Sequence, residues 1–251
     1  MADPKKISAP RAQIKERKKM FKIKSLEGLT SKEKKNLQES GDINGWETGI
    51  WTQSHLGETG RTHESEYLDN SHKVVMSNII FSHLEDTGFL NSENISNAIE
   101  FGCNLGRNLN IAKERYDCEV HGIDINQEVI DKCNERFSTN NFFKADLDDG
   151  KFLSRYKDNQ FDLGITCGFL LHVPAWKGKQ SLISEICRIC KRAWFFEWRD
   201  ESVVREWWLR GGVATGEYLD EYYKNNIQHV SDFSAAADSP YSSYGLYTFD
   251  S

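Results

Sequence analysis

A short stretch with two glycines, residues 97–106, constrains the fold of this chain more than any other part of its sequence. An apolar run that includes one carboxylate, Glu100, is followed by Gly102 and Gly106, and a helical pattern begins directly after the second glycine. Glycine permits a sharp backbone turn and lets a ligand approach closely. The N-terminus of the following helix directs N–H groups and the positive end of its dipole at such a ligand. The stretch therefore predicts a strand, a tight loop and a helix that together hold a cofactor.

Strands and helices are predicted to alternate through the rest of the chain. Apolar runs of strand length lie at residues 98–101, 118–125, 141–146, 161–167 and 192–198. Helical patterns lie between them at residues 105–116, 127–137, 151–156 and 179–191. Two further predicted strands, 227–233 and 244–249, are joined by a loop containing Pro240, which favours an antiparallel pair. This order is typical of an α/β fold: a Rossmann-like, doubly wound, seven-stranded sheet with an antiparallel final pair and helices on both faces.

An N-terminal extension precedes the predicted sheet. Residues 1–24 carry nine Lys or Arg and two Asp or Glu, a balance of +7, whereas the rest of the chain carries −13. We interpret residues 1–40 as a basic, flexible arm, residues 41–95 as a lid followed by a helix, and residues 96–251 as the main domain. One face of that helix is predicted to carry the apolar residues Val75, Ile79, Ile80 and Leu84.

Composition narrows the classes of partner. The chain is acidic overall, with a net charge of −6, which argues against a broad phosphate-binding face, although the basic arm leaves a contact with nucleic acid open. No apolar run is long enough to cross a bilayer and no signal peptide is evident, so we expect a cytoplasmic protein that does not bind membranes. Cys187 and Cys190 have the spacing of metal ligands, but no second Cys or His pair completes a site, and we predict no metal.

The glycine loop differs from a pyrophosphate-binding turn. A dinucleotide loop has the pattern G-x-G-x-x-G, whereas here Asn104 stands at the second glycine position and the third glycine is missing. A P-loop would need a Lys-Ser/Thr pair, which does not follow Gly106. Glu100, just before Gly102, would repel a phosphate but suits a cationic group. The loop therefore favours a cofactor with a cationic end.

Further candidate contacts follow the next three predicted strands. Asp124 ends the second strand and can accept the hydroxyls of a ribose. Asp146 follows the third strand and can accept an adenine amine, while Ala145 and Leu147 offer backbone N–H groups and apolar walls. Gly168 begins the sequence GFLLHV after the fourth strand. All of these positions lie at the carboxyl ends of strands, where α/β folds bind ligands.

This order of landmarks resembles the class I S-adenosylmethionine-dependent methyltransferases. Glu100-x-Gly102-x-x-x-Gly106 matches their first motif, Asp124 their ribose-binding acid, and residues 161–172 their fourth-strand motif. The sequence GFLLHV and the ending GLYTFD are also similar to small-molecule methyltransferases of the methyltransferase-11 type. The resemblance covers residues 96–251 and implies S-adenosylmethionine as the donor and S-adenosylhomocysteine as the product. It implies cofactor contacts from Glu100, Gly102, Cys103, Asn104, Gly106, Asp124, Ile125, Ala145, Asp146, Leu147 and Gly168.

Candidates for catalysis lie after the fourth strand and in the fifth. Methyl transfer is an in-line displacement that depends mainly on positioning and needs a general base only when the acceptor must lose a proton. His172 is a candidate base, with packing of its loop as the alternative. Glu197 is the second candidate, and an ion pair with Arg199 is the alternative.

Tryptophan-rich segments are candidates for acceptor binding. We expect acceptor contacts from Trp46, Trp51, Arg61, Tyr67, Trp198 and Arg199, with His55 and His63 in the same lid segment. The alternative for the two lid tryptophans is that they pin this segment to the core. Trp194 and one of Trp207 and Trp208 are predicted to be core residues.

Three functions stay open at this point. The first is methylation of an oxygen or nitrogen of a small molecule, such as a sugar or another polar metabolite. The second is methylation of RNA or a nucleotide through the basic arm, although no Asn-Pro-Pro-Tyr or Asp-Pro-Pro-Tyr sequence follows the fourth strand. The third is a partner protein that binds S-adenosylmethionine without catalysis. We expect a monomer or a homodimer.

Overall fold

The computed structural model describes residues 71–147, 150–173, 179–198, 227–233 and 244–251. Its strands are β1 (Asn97–Phe101), β2 (Glu119–Asp124), β3 (Phe142–Lys144), β4 (Phe161–Cys167), β5 (Cys190–Trp198), β6 (Ile227–Phe233) and β7 (Tyr244–Asp250). Its α-helices are α1 (Ser71–Asp86), α2 (Arg107–Tyr116), α3 (Gln127–Phe137) and α4 (Lys179–Ile189). Short 3₁₀ helices lie at Ser92–Asn94, Lys151–Arg155 and Leu170–His172.

The seven strands form one sheet in the order β3-β2-β1-β4-β5-β7-β6. Strands β1 to β5 pair in parallel, whereas β7 is antiparallel to both β5 and β6. The predicted Rossmann-like sheet with an antiparallel final pair is thereby confirmed. The strand order reverses between β1 and β4, and the carboxyl ends of strands at such a switch point border a crevice where α/β folds bind ligands.

Helices cover the two faces of the sheet and form two apolar clusters. Helices α1, α2 and α3 contribute to the first cluster, where the ring of Phe81 meets Trp194 edge-on at 5.6 Å between ring centroids. Helix α4 contributes to the second cluster. Trp194 is fully buried, as predicted for a core residue. The apolar side of α4 faces the sheet, since Leu182, Ile183, Ile186 and Ile189 are fully buried.

The buried face of α1 differs from the predicted one. Ile80 and Leu84 are buried as expected, but Val75 and Ile79 are 55% and 47% exposed. The helix turns Phe81 into the core in their place, because the side chains at positions 80, 81 and 84 share one stripe of a 3.6-residue period. The prediction that these four apolar residues lie on one face of the helix was therefore wrong for Val75 and Ile79, which lie on its exposed side.

Each predicted element inside the described ranges is present, with its ends within two residues of the predicted ones. Helix α4 ends at Ile189 instead of residue 191, because the chain enters β5 at once and Cys190 already pairs with Phe161 of β4. The sequence also predicts helices at 203–209 and 217–225, which lie outside the described residues, as do the arm and the lid. The domain boundaries therefore stay predictions. No helix in the described ranges is long and apolar enough to cross a membrane.

A carboxylate joins the amino ends of β1 and β4, opposite the switch-point crevice. Asp162 Oδ2 accepts hydrogen bonds from the backbone N–H groups of Ser96 at 2.8 Å and Asn97 at 3.2 Å, and from the Ser96 hydroxyl. Lys191 Nζ donates to Asp162 Oδ1 at 2.7 Å. Burial alone would raise the pKa of Asp162, but these hydrogen bonds outweigh it and lower the pKa to about 2. This cluster ties the two strands in register.

Candidate functional site

The glycine loop lies at the carboxyl end of β1 with three residues in left-handed conformation. The φ angles are +69° at Gly102, +45° at Asn104 and +70° at Gly106. A Cβ atom added to Gly102 would lie 2.4 Å from Cδ2 of Phe169, so the loop packs against this ring with no space for a side chain. Asparagine is among the residues that tolerate positive φ. This explains how Asn104 can replace the more usual glycine.

All backbone N–H groups of this loop are used inside the protein. The N–H groups of residues 102 to 106 donate, in chain order, to the Ile123 carbonyl (twice, at 2.8 and 3.0 Å), Asp124 Oδ2 (2.9 Å), Asn104 Oδ1 (2.7 Å) and the Cys103 carbonyl (2.8 Å). A phosphate cradle needs such groups to point at the ligand. The hydrogen bonding therefore agrees with the sequence argument that this loop does not bind a pyrophosphate.

Glu100 is a buried carboxylate directly beneath the loop, and only 3% of its surface is exposed. Its Oε1 accepts a 2.5 Å hydrogen bond from Asn108 Nδ2, whereas Oε2 has no hydrogen-bond partner among the described residues. Burial raises the pKa of Glu100 to about 8, although the Asn108 bond and the charge of Arg107 act in the opposite direction. A buried carboxylate oxygen without a partner fits a cationic group, since a cation would restore the stabilisation lost with water.

Arg107 and Asn108 extend this buried polar group towards α1. Ser77 Oγ donates to Asn108 Oδ1 at 2.7 Å and accepts from Arg107 Nε at 3.2 Å. Arg107 Nη1 is buried and has no hydrogen-bond partner in the described part of the chain. None of these three residues was predicted from the sequence to belong to the site. Arg107 and Asn108 open the helix after Gly106, which was an available signal, but nothing in the sequence indicates Ser77.

Asp124, at the end of β2, faces the other side of the loop. Its two carboxylate oxygens accept backbone N–H groups, from Asn104 at 2.9 Å and from Asn126 at 3.0 Å. Burial raises the pKa of this carboxyl group, and the N–H groups that it accepts oppose the shift. Because an ionised carboxylate has about four lone-pair sites, two remain for further donors such as the hydroxyls of a ribose.

The residues after β3 meet the expectation only in part. The N–H of Ala145 donates to the Asp124 carbonyl at 2.9 Å, which continues the pairing of β2 and β3. The prediction that this N–H serves an adenine ring was therefore wrong. Leu147 is buried, 5% exposed, and can form an apolar wall, whereas Asp146 is exposed beside it. Ile125, directly after β2, is half-buried.

The loop after β4 is held by the end of β5. Gly168 has a φ of +63°, and its N–H donates to the Phe196 carbonyl at 2.8 Å. The N–H groups of Phe169 and Leu170 donate to the two carboxylate oxygens of Glu197, each at 3.2 Å, and Glu197 is fully buried. The carboxylate of Glu197 thus fixes the backbone at the start of this loop. His172 ends the 3₁₀ helix that follows and is half-buried.

Other predicted site residues lie away from this rim or outside the description. The Cys103 side chain is buried in the first apolar cluster beside Gly122, so only its backbone faces the loop. Of Trp198 the structure describes the backbone, which pairs with Tyr244. The remaining acceptor candidates lie outside the described residues: Trp46, Trp51, His55, Arg61, His63, Tyr67 and Arg199.

Comparison with known proteins agrees with this geometry. Residues 98–193, which span β1 to β5, match a family model described as methyltransferase domain. A curated relative, phosphoethanolamine N-methyltransferase from Plasmodium falciparum, is 26% identical over 149 residues, which cover 54% of this chain and 54% of that protein. The chain thus spans about half the length of the curated relative that it matches.

Two solved structures share the fold at low identity. Magnesium protoporphyrin IX methyltransferase from Synechocystis PCC 6803, solved with bound S-adenosylmethionine, is 13% identical with a TM-score of 0.56, covering 84% of this chain and 98% of that one. Geranyl diphosphate C-methyltransferase from Streptomyces coelicolor A3(2) is 14% identical with a TM-score of 0.53, covering 85% and 97%. Both similarities support the architecture of the sheet and its helices.

Proposed function

The chain carries a class I S-adenosylmethionine-dependent methyltransferase domain, and we propose that the protein uses it to methylate an oxygen or nitrogen of a small polar molecule. The observation that carries this proposal is the pair of carboxylates on the two sides of the glycine loop. Glu100 has a buried oxygen without a partner among the described residues, and Asp124 is held by two backbone N–H groups. Together they suit a ligand with a cationic end and a ribose.

In this proposal each end of the donor has its own group of residues. Glu100 faces the ammonium of the methionine end, and Asp124 accepts the ribose hydroxyls. Ile125 and Leu147 line the adenine, and Asp146 accepts its amine. When bound, S-adenosylmethionine supplies an electrophilic methyl group on a sulfonium.

The contribution of the protein to the reaction is positioning and exclusion of water. The ring of Phe169 packs on Gly102, and Glu197 holds the backbone of the Phe169 loop, so the glycine loop and the β4 rim have a defined separation. We therefore assign Glu197 a positioning role. His172, three residues after Phe169, stays the candidate general base for an acceptor that must lose a proton.

The acceptor class is inferred from the tryptophan-rich segments and the curated relative. Trp46, Trp51 and Trp198 are proposed to surround a cationic or planar group, with Arg61 and Arg199 available for an anionic one. The name of the P. falciparum relative states that it methylates phosphoethanolamine, a small amine with an anionic phosphate. Phosphoethanolamine and related amino alcohols are therefore the first compounds to test, followed by sugars with free hydroxyls or amines.

Calorimetry tests the donor, and transfer of a radioactive methyl group tests the acceptor. We expect both S-adenosylmethionine and S-adenosylhomocysteine to bind. Asp124→Ala should weaken binding by about 1–3 kcal/mol. Asp131→Asn, an exposed change on α3, should leave binding unchanged. If neither compound binds the wild-type protein, the proposal is wrong; binding without transfer to any acceptor class would favour a non-catalytic partner protein.

A second candidate, methylation of RNA or a nucleotide, rests on the +7 charge of residues 1–24. Phosphate contacts by such an arm would make RNA affinity fall steeply with salt. Deleting residues 1–24 should then reduce both the affinity and its salt dependence. Equal RNA affinity with and without the arm would exclude this acceptor.

A further inference from the structure

A buried line of polar side chains connects Glu100 with Arg107 and leaves one terminal atom of each residue without a hydrogen-bond partner among the described residues. Arg107 Nε donates to Ser77 Oγ, Ser77 Oγ donates to Asn108 Oδ1, and Asn108 Nδ2 donates to Glu100 Oε1. All donors in this line point from the cation towards the carboxylate. Glu100 Oε2 and Arg107 Nη1 are buried and have no hydrogen-bond partner among the described residues.

The two charged groups are neighbours but do not form an ion pair with each other in the described structure. The charge of Arg107 is close enough to oppose the rise in the pKa of Glu100. Both charges also affect the thiol of Cys167, whose pKa burial raises to about 11. Since Cys167 ends β4 and Glu100 lies in β1, both charges lie at the switch point of the sheet. They therefore border the crevice in which the donor is proposed to bind.

An α-amino acid complements this pair, because it carries an ammonium and a carboxylate on one carbon atom. We propose that Arg107 Nη1 binds the α-carboxylate of the donor while Glu100 Oε2 faces its α-ammonium. This inference rests on the proposed function, since the ligand is S-adenosylmethionine. Ser77 and Asn108 are positioning residues: they hold the guanidinium and the carboxylate apart, so that neither neutralises the other. Charge-assisted hydrogen bonds of this kind are the stronger ones in proteins.

The assignment gives α1 a role in donor recognition. Ser77 lies in this helix, before the region that matches the methyltransferase family model. Its hydroxyl is the only described acceptor for Arg107 Nε, and it belongs to the buried face of α1, 2% exposed. Packing of α1 on α2 therefore sets the direction of the guanidinium. Arg107 directly follows Gly106, the last residue of the loop. The first residue of α2 is therefore the one that binds the carboxylate of the donor in this proposal.

Calorimetry with three ligands tests the assignment on the full chain. S-Adenosylhomocysteine has both charged groups, its decarboxylated analogue with a 3-aminopropyl chain lacks the carboxylate, and 5′-methylthioadenosine lacks both. Arg107→Met should weaken binding of S-adenosylhomocysteine about 10- to 100-fold, which is the range for a hydrogen bond to a charged group. Binding of the decarboxylated analogue and of 5′-methylthioadenosine should stay within about twofold, because neither has the group that Arg107 binds. Arg107→Lys should retain part of the affinity, since an ammonium is also a donor to a carboxylate.

Matched variants separate recognition from folding. Arg115→Met alters an arginine on the same helix that forms an ion pair with Glu85, so it should lower the melting temperature without changing any of the three affinities. Ser77→Ala removes the acceptor of Arg107 Nε and should weaken S-adenosylhomocysteine selectively, by about 3- to 10-fold. This variant keeps the inference testable if Arg107→Met fails to fold.

Several outcomes would overturn the assignment. Equal losses for all three ligands would show that Arg107 only supports the fold. Unchanged S-adenosylhomocysteine affinity in Arg107→Met, with a higher KM for an anionic acceptor, would place the acceptor at this arginine instead. Failure of S-adenosylhomocysteine to bind the wild-type protein would overturn the proposed function itself, a result distinct from either of these.

Discussion

The buried carboxylate of Glu197 accepts, through Oε1, a 3.2 Å hydrogen bond from the backbone N–H of Phe169. Its Oε2 accepts the N–H of Leu170 at the same distance, so both oxygens hold the start of the loop after β4. The loop in turn places the Phe169 ring on Gly102 of the glycine loop. Through these contacts the end of β5 supports the proposed donor site, although it does not border the glycine loop directly.

Glu197→Gln should destabilise this loop, because an amide nitrogen cannot accept the N–H of Phe169 or Leu170. We expect a loss of about 1–3 kcal/mol in the free energy of unfolding, together with weaker binding of S-adenosylhomocysteine. Thermal melting and calorimetry measure the two effects. The shape of the pH–rate profile should not change. Loss of one limb of that profile at an unchanged melting temperature would instead identify Glu197 as a catalytic base.

Gly102→Ala should impair donor binding for two reasons, the positive φ and the contact with Phe169. Left-handed backbone costs a non-glycine residue about 1–3 kcal/mol, and the new Cβ would lie 2.4 Å from the ring. Adding Phe169→Ala to this variant should restore the part of donor binding that is lost through the clash between the new Cβ and the ring. Gly88→Ala is the matched control: its φ is +76°, but no atom of the described residues lies within 4 Å of the added Cβ. It should lower stability without changing S-adenosylhomocysteine affinity.

Glu100→Gln should become increasingly stabilising, relative to the wild type, as pH rises. Burial raises the pKa of Glu100 from its ordinary value of 4.5 to about 8 in the folded protein. Between these values the folded state keeps a proton that the unfolded chain loses, so the contribution of Glu100 to stability falls with rising pH. Without ligand, the difference in melting temperature between the variant and the wild type should widen from pH 5 to pH 9. A difference in melting temperature that does not change with pH would contradict the raised pKa of Glu100.

The same melting experiment on the wild type also tests the ligand at Glu100. A bound ammonium favours the ionised carboxylate, so saturation with S-adenosylhomocysteine should remove much of the pH dependence in the wild type. The decarboxylated analogue, which keeps its amine, should act in the same direction. 5′-Methylthioadenosine has no amine and serves as the control.

Asp162→Asn should lower stability and leave donor binding unchanged, because this residue lies at the amino ends of β1 and β4. The amide removes an acceptor for Ser96, Asn97 or Lys191, at a cost of about 1–3 kcal/mol. The pKa of Asp162 is lowered to about 2 from 3.8, so its stabilisation is complete above 3.8 and is lost as pH falls through 2. At neutral pH the variant should therefore have a lower free energy of unfolding than the wild type. As pH falls, this free energy should decrease less in the variant than in the wild type. A changed S-adenosylhomocysteine affinity would contradict this separation.

The sequence by itself determined the order of strands and helices, the glycine loop and the carboxylates at the strand ends. These features depend on neighbouring residues: periodicity defines each element, and Gly102, Asn104 and Gly106 tolerate the positive φ that the loop adopts. The same local information predicts that the loop does not bind a phosphate. Which face of α1 is buried was not available in this way, because Val75 and Ile80 are equally apolar and only tertiary packing, such as that of Phe81 against Trp194, decides between them.

Tertiary structure alone decided which polar groups are already used and which are left for a ligand. Glu197 accepts hydrogen bonds from Leu170 and Phe169, which lie 27 and 28 residues earlier in the chain. Arg107 donates to Ser77, 30 residues earlier. The Ala145 N–H is taken by Asp124, whereas Glu100 Oε2 and Arg107 Nη1 are buried without a partner among the described residues. Hydrogen bonds between distant residues depend on how the helices pack on the sheet. The residue types identify the cofactor, but the packing determines which atoms can bind it.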